Sequence, residues 1–321
     1  MRPRTLSGLY GQTAIVSAIR QHMAKRPPRT WLFYGESGSG KTTLARIIAL
    51  AFQCSHMKLW GDPCEDCWKN FSNFPIHEIN ASEHSGVDEL EKIAELSQHR
   101  PITGMKRIII LDECHGLSKQ AWNAILTPME EPPEFTVWIL CTSEIRKVPV
   151  ASIRRCTKYQ LKTLGITDTE NFLKKYAAKA EVTRALDPLI EAVHIMRVSA
   201  PGLLLQALEK YAAGATASDA AAGADGSSVD TFRLCRAVTS GNWKETCTLL
   251  KDTTPEDSRF LRACMAGWLK GILVKEPTPV GQARAAKCLL ELCSPPYDDA
   301  MWVHWLHAEL YQICSRYGAR Q

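Results

Sequence analysis

Trp31-Leu-Phe-Tyr-Gly35-Glu36-Ser37-Gly38-Ser39-Gly40-Lys41-Thr42-Thr43 is the stretch that decides the fold. Its first four residues are an apolar run that predicts a buried strand. The next eight fit G-x4-G-K-[ST], and Lys41 to Phe52 carries the spacing of a helix. A strand, a glycine-rich loop and a helix in that order let backbone N–H groups curl around phosphate oxygens. The helix N-terminus adds a favourable dipole. Lys41 is expected to reach the β- and γ-phosphates and Thr42 to ligate magnesium, with Thr43 in the same first turn.

Such a site needs a second apolar strand that ends in acid. Ile108-Ile-Ile-Leu-Asp112-Glu113 supplies it. Asp112 is expected to hold the magnesium and Glu113 to polarise an attacking water, which separates ATP hydrolysis from nucleotide binding alone. No guanine-reading N-K-x-D segment accompanies the loop, and no acceptor-substrate signal of a kinase is visible.

Residues 30 to about 160 alternate short apolar runs with helix-period segments, the pattern of a parallel α/β sheet. Strands are expected at 31–34, 75–79, 108–111 and 135–141, and helices at 41–52, 87–97 and 118–130. Pro132-Pro133 stops the last of these. From Thr167 to Ala212 the pattern is helical. Residues 213–229 are small and polar and predict a linker. Residues 230–321 read as helices rich in Trp, Leu and Cys.

Composition agrees with a globular protein of two or three domains. The chain has 321 residues, of which 45% are hydrophobic and 23% charged; net charge is +5 and mean hydropathy −0.17. The apolar runs are far too short to span a bilayer, so no membrane partner is expected. Met1-Arg-Pro-Arg-Thr-Leu lacks the apolar core of a secretory signal. Most of the 12 cysteines sit singly in apolar segments, as reduced thiols do, and predict a cytoplasmic protein.

Together these residues resemble one family, the AAA+ clamp-loader ATPases: the bacterial tau/gamma subunit and the small subunits of replication factor C. The resemblance runs from Arg2 to about Ala212. Arg2-Pro3-Arg-Thr-Leu with Tyr10-Gly11-Gln12 resembles the family's adenine-binding stretch. Asp112-Glu-Cys-His-Gly-Leu-Ser118 is similar to its acidic box, and Asn123 to Pro133 to the helix and double proline that follow. Leu140-Cys-Thr-Ser143 corresponds to the sensor-1 strand, with Ser143 at the sensor position and Thr142 the alternative. Val148 to Cys156 resembles the motif whose arginine reaches the γ-phosphate of a neighbouring subunit. Arg155 is the implied finger, and Arg154, standing where the family has serine, is the alternative. Asn80 to Asp88 resembles the start of a helix that tracks DNA. DNA contacts are therefore implied at Ser85, Gly86, Val87, Arg100 and Thr103, while the Gln98–Ile102 loop is the alternative contact for the clamp.

Cys54-x9-Cys64-x2-Cys67 lies where tau/gamma subunits carry a four-cysteine zinc site. The fourth family position is Asn70 here, and His56 is the imidazole that completes a Cys3His set. The alternative is a group of reduced thiols holding no metal. His77, His115, His194, His304 and His307 are read as structural or surface residues.

The resemblance implies an AAA+ domain at 1–162 with an inserted zinc lobe at about 54–70. A helical lid follows at 163–212 and a helical collar at 230–321. It implies ATP, Mg2+ and Zn2+ as ligands. It further implies a pentameric assembly that loads a sliding clamp onto primer–template DNA. Rival readings are another AAA+ machine of DNA metabolism and a non-hydrolysing subunit. The second is suggested by Pro201, which stands where the family's sensor-2 arginine is expected.

Overall fold

The computed structural model describes residues 3–25, 27–81, 86–196, 198–222, 231–251, 253, 255–275, 278–292 and 302–318. By packing, the chain forms two compact units, residues 1–164 with 200–202, and residues 165–199 with 203–321.

The first unit is a parallel five-stranded sheet. Its strands are β1 (Thr30–Tyr34), β2 (Ile76–Asn80), β3 (Arg107–Asp112), β4 (Thr136–Thr142) and β5 (Thr157–Gln160), in the spatial order β2-β3-β4-β1-β5. Its helices are α1 (Thr13–Lys25), α2 (Lys41–Ala51), α3 (Glu65–Lys69), α4 (Val87–Ser97), α5 (Lys119–Glu130) and α6 (Val150–Arg155). The strands β1, β3 and β4 are nearly continuous apolar runs, buried on both faces of the sheet. Trp31, Phe33, Ile108 and Ile110 face one core with Ile19 of α1 and Leu44, Ile47 and Ile48 of α2. The intervening Leu32, Ile109 and Leu111 face the other, with Leu90 of α4 and Trp122 and Ile125 of α5. Ser118 caps α5 by accepting a hydrogen bond from the Ala121 N–H, at 3.2 Å.

The α/β class and the expected strands are present, each shifted by a residue or so at its ends. The outer strand beside β1, β5, is not among the strands that the sequence predicts. Its Thr-Lys-Tyr-Gln shows one buried residue, Tyr159, so it lacks the apolar run that marks β1, β3 and β4.

The second unit is helical in its described residues. It comprises α7 (Ile166–Lys179), α8 (Asp187–Ile195), α9 (Pro201–Ala212), α10 (Ala217–Ala222), α11 (Thr231–Thr239), α12 (Trp243–Leu250), α13 (Pro255–Lys275), α14 (Pro279–Leu292) and α15 (Trp302–Gly318). The first residues of α9 cluster with the first unit. Leu234, Leu261, Met265, Leu269, Leu306, Leu310 and Ile313 form the core. Helix α13 crosses α8 so closely that a Cβ on Gly267 would lie 2.7 Å from the Ile195 carbonyl oxygen. Within the stretch expected to be a linker, Ala220 and Ala221 of α10 are fully buried. That part is packed because alanine fits against α8 without needing a large side chain. Among the described residues no helix is long and apolar enough to cross a membrane, and the described cysteines are free thiols.

Candidate nucleotide site

In a parallel sheet the loops leaving the carboxyl ends of the strands share one edge, and ligands bind there. Tyr34, Asn80, Asp112, Thr142 and Gln160 end the five strands. Tyr34 runs into the glycine loop. Gly35 sits at φ 151°, and a Cβ there would lie 2.2 Å from the Leu161 carbonyl oxygen, so a larger residue would push the loop off β5. Gly40, at φ 101°, turns the chain into α2.

Lys41 is almost fully buried, and its Nζ donates to the carbonyls of Gly35 (3.0 Å) and Glu36 (3.1 Å). The buried Ser39 hydroxyl has no hydrogen-bond partner in the structure. A buried orphan donor beside a lysine and a helix start fits a phosphate oxygen. Thr42 Oγ1 donates to Asp112 Oδ2 at 2.7 Å, which joins the start of α2 to the end of β3. Burial pushes the Asp112 carboxyl up from its usual range, the Thr42 hydroxyl opposes this, and the neighbouring Glu113 charge adds to it. A divalent cation held by Thr42 and Asp112 would relieve that cost. Arg46 pairs with Glu78 at 2.7 Å and ties α2 to β2; the carboxylate raises the arginine's pKa further.

Glu113 adopts a left-handed conformation, φ 46°, which is uncommon for a residue with a side chain. The turn carries its carboxylate to within 3.8 Å of Lys41 Nζ. Glu113 Oε2 accepts from the Ser143 N–H (3.0 Å) and the Ser143 hydroxyl (2.9 Å). Thr142, the alternative sensor, instead faces His115 Nδ1 at 3.2 Å and accepts from the Glu144 N–H.

His115 is the residue that sequence reasoning missed. Its Nδ1 lies 3.2 Å from Glu113 Oε2 and its Nε2 3.4 Å from Glu144 Oε1. The sequence places it among the structural and surface histidines, yet the short turn Cys114–Gly116 folds it back over the acid pair. Its place two residues past Glu113 was the available signal.

Other expected site residues are spread around this core. Pro3 and Tyr10 belong to the partly exposed N-terminal segment; Arg2 lies outside the described residues. Gln12 Nε2 donates to the Lys162 carbonyl at 2.6 Å. A Cβ on Gly11 would strike Leu164. Residues 11–12 are thus seated on the segment that also supports Gly35. Within the same unit the Gly202 N–H donates to the Gly38 carbonyl at 2.8 Å, so Pro201-Gly202 brings backbone, and no arginine, to the loop.

Arg155 ends α6. It donates to the Ala151 carbonyl at 2.7 Å and forms an ion pair with Glu130 at the end of α5. Arg154 is exposed. Gly86 and Val87 start α4 beyond the carboxyl end of β2, and Ser85 lies outside the described residues. Arg100 and Thr103 are not beside them. They follow α4, in the loop that enters β3 at the opposite edge of the sheet, where the Arg100 guanidinium lies 5.4 Å above the Phe135 ring. The four described residues therefore do not form one surface: an 11-residue helix is about 16 Å long and separates Gly86 and Val87 from Arg100 and Thr103. Ile102 in that loop is fully exposed.

The ligand atoms of Cys54, His56, Cys64 and Cys67 all lie within 4.8 Å of one another. Cys54 and Cys64 sulfurs are 3.8 Å apart, the separation that ligand bonds of about 2.3 Å give in a tetrahedron. The Cys67 N–H, at the start of α3, holds the Cys64 thiol below its usual pKa, while burial pushes Cys67 up to about 12. Asn70 donates to the Asp66 carbonyl and is not one of the four. Three thiols and an imidazole at these separations fit zinc.

A glycine phosphate loop, an acid pair at the end of β3, the polar Thr142-Ser143 at the end of β4 and the sheet order β2-β3-β4-β1-β5 define an α/β phosphate-loop nucleotide-binding domain. The comparisons narrow the class. A family model described as DNA polymerase III, delta subunit, matches residues 11–165, just under half the chain. The tau subunit of Bacillus subtilis DNA polymerase III is 35% identical over 169 residues, 51% of this chain and 30% of that protein. The gamma subunit of Buchnera aphidicola subsp. Baizongia pistaciae is 31% identical over 194 residues, 59% and 52%. The gamma/tau subunit of Mycoplasma genitalium is 30% identical over 267 residues, 78% and 44%. Over these spans the chain is similar to the gamma/tau subunits of DNA polymerase III. It spans between about a third and about half the length of these relatives.

Proposed function

We propose that this chain is an ATPase subunit of a sliding-clamp loader, coupling ATP binding and hydrolysis to placement of the clamp on primer–template DNA. The observation that carries the reading is the bond between Thr42 and Asp112, with Glu113 beside Lys41. It unites the phosphate loop and the acid pair in one site, as ATP hydrolysis requires.

In this reading the N–H groups of residues 35–41 and the Lys41 ammonium bind the β- and γ-phosphates. Thr42 and Asp112 hold Mg2+, which neutralises phosphate charge when bound. Glu113 accepts a proton from the attacking water, and Ser143 and His115 orient its carboxylate. Residues 3–12 form the adenine end. Arg155 acts on the γ-phosphate of a neighbouring subunit, and Glu130 holds its guanidinium until the subunits meet. Gly86 and Val87 approach a DNA phosphate through backbone N–H groups, which gives salt-dependent and sequence-blind binding. The separate 98–105 edge, with Ile102 exposed, suits the clamp. Residues 163–212 act as lid and 230–321 as the collar of a pentamer. Zinc is held by Cys54, His56, Cys64 and Cys67.

The test is ATP turnover by the purified chain with its partner subunits, alone and with clamp and primed DNA. Turnover that rises with both, and is lost in Lys41→Ala, is expected. Turnover indifferent to clamp and DNA would favour another AAA+ machine. No turnover at all, with ATP still bound, would favour the non-hydrolysing subunit.

A further inference from the structure

The cysteine lobe has a small apolar centre of its own beside its four candidate metal ligands. Its apolar centre is Leu50 with the thiols Cys54 and Cys67, ringed by partly buried side chains. Metal binding at such a site would add to the free energy that orders its ligand turns.

The outer turn of that lobe is the seat of the N-terminal segment. The Leu6 N–H donates to the Gly61 carbonyl at 2.8 Å, and the Ser7 N–H to Asp62 Oδ1 at 3.0 Å. The Trp68 indole N–H donates to the Arg4 carbonyl at 2.8 Å, and Arg4 pairs with Glu65. The Leu6 side chain, 1% exposed, fills the space over Gly61, where a Cβ would lie 2.1 Å from it. Asp62 is the centre of this contact. Arg20 of α1 grips both of its carboxylate oxygens at 3.2 Å, the Ser7 hydroxyl at 2.9 Å and the Trp60 carbonyl at 3.1 Å. From there residues 11–12 rest on Lys162 and Leu164, next to the Leu161 carbonyl that abuts Gly35.

We propose that the metal lobe sets the affinity of the nucleotide site. Metal on Cys54, His56, Cys64 and Cys67 fixes the 60–65 turn, and Asp62, a positioning residue, passes that order to residues 4–9 at the adenine end. The proposal rests on the nucleotide and zinc readings above. Because coupling of two binding events is reciprocal, nucleotide also tightens the hold on zinc by the same factor.

The test is calorimetric titration of ADP into reduced protein that is zinc-loaded, chelator-stripped, or changed at Asp62→Ala, with zinc content measured each time. Stripping is expected to weaken ADP binding about tenfold, the scale of losing hydrogen bonds to a charged group. Asp62→Ala keeps all four ligands and so keeps zinc, and is expected to lose a similar factor even when loaded. It covers the case in which the stripped protein unfolds. In a competition between protein and a colorimetric chelator, ADP should shift zinc toward the wild-type protein and not toward Asp62→Ala. Equal ADP affinity in loaded, stripped and Asp62→Ala protein overturns the proposal, as does a chain that takes up no zinc. Lys41→Ala separates the two failures. If it still binds ADP, the nucleotide reading falls; if it does not while Asp62→Ala binds normally, only the coupling falls.

Discussion

The carboxyl edge of the sheet and the helical core of the second unit are built on opposite terms. At the edge, polar groups crowd together at some cost: a buried carboxyl at Asp112, a left-handed Glu113, an unpartnered Ser39 hydroxyl. In the core around Leu306, Leu310 and Ile313 the side chains are apolar and fully buried, and the polar groups held at a cost, Glu309 with its carboxyl raised by burial and His307 with its imidazole lowered, flank that core on the same helix instead of forming its centre. Strained polar groups persist where they serve a site, while packed apolar groups serve stability. Substitutions at the edge should therefore destroy activity and spare the fold, and substitutions in the core should do the reverse.

The largest effect is expected at Arg155. In assembled rings Arg155→Ala should bind ATP nearly as well as wild type and hydrolyse it about 10³–10⁵-fold more slowly. Mixing Arg155→Ala chains with Lys41→Ala chains should restore part of the rate, since some interfaces then pair an intact finger with an intact phosphate site. Mixed rings without recovery would place the finger at Arg154 or make Arg155 act within its own chain. Arg154→Ala, expected to be nearly silent, separates those outcomes.

Next comes Glu113→Gln, which should keep ATP binding and cost about 10²–10⁴ in turnover, the usual worth of a positioned general base. His115→Ala sharpens the comparison. It touches Glu113 without touching the phosphate loop, so it should lower turnover by a smaller factor and leave ATP affinity unchanged. A weakened ATP affinity in His115→Ala would mean that the histidine supports the site's shape instead of the glutamate.

The two regions were also unequally legible in the sequence. Glycine, lysine and paired acids at fixed spacing are there for one geometry, so residues 35–42 and 112–113 announced both fold and site. Ser143 is assigned by its spacing to Arg155, and it lies just past β4, where its hydroxyl donates to Glu113. His115 was missed because a lone histidine carries no pattern until the turn after β3 folds it onto Glu113. The proposed DNA set was gathered from both ends of α4, since sequence proximity does not reveal which edge of a sheet a loop occupies. In the second unit, helical spacing marked the helices, but apolar faces look alike whether they meet one neighbour or another. The small residues of α10 hid a packed helix inside an apparent linker.

Leu310→Ala tests the other side of the comparison. Leu310 is fully buried in the second unit's core, and its truncation should cost about 2–5 kcal/mol of stability. Thermal or denaturant unfolding measures the loss. Nucleotide affinity, measured well below the melting temperature, should stay within about twofold of wild type, since the phosphate contacts are made by residues 35–42. A large fall in affinity with folding intact would show that the two regions are coupled more tightly than their separate packing implies.

The smallest expected effect has the most informative sign. Burial raises the Asp112 carboxyl above its ordinary value of 3.8, and Glu113 pushes the same way. The native chain then holds that proton more firmly than the unfolded chain. As pH rises from 3.8 through the raised native value, the unfolded state has already shed the proton and the native state has not, so stability falls across that window. Above it the cost is fully present. Asp112→Asn removes the charge, keeps the size and still accepts the Thr42 hydroxyl. Without nucleotide it should therefore melt about 1–3 °C higher than wild type at pH 7, with the gain fading near pH 4. With Mg–ATP present the order should reverse, because wild type gains a metal anchor that the variant lacks. Melting curves at both pH values, with and without nucleotide, decide the matter. If Asp112→Asn is the less stable protein at pH 7 without nucleotide, the carboxylate is a stabilising group, and the edge does not carry the cost that sets it apart from the core.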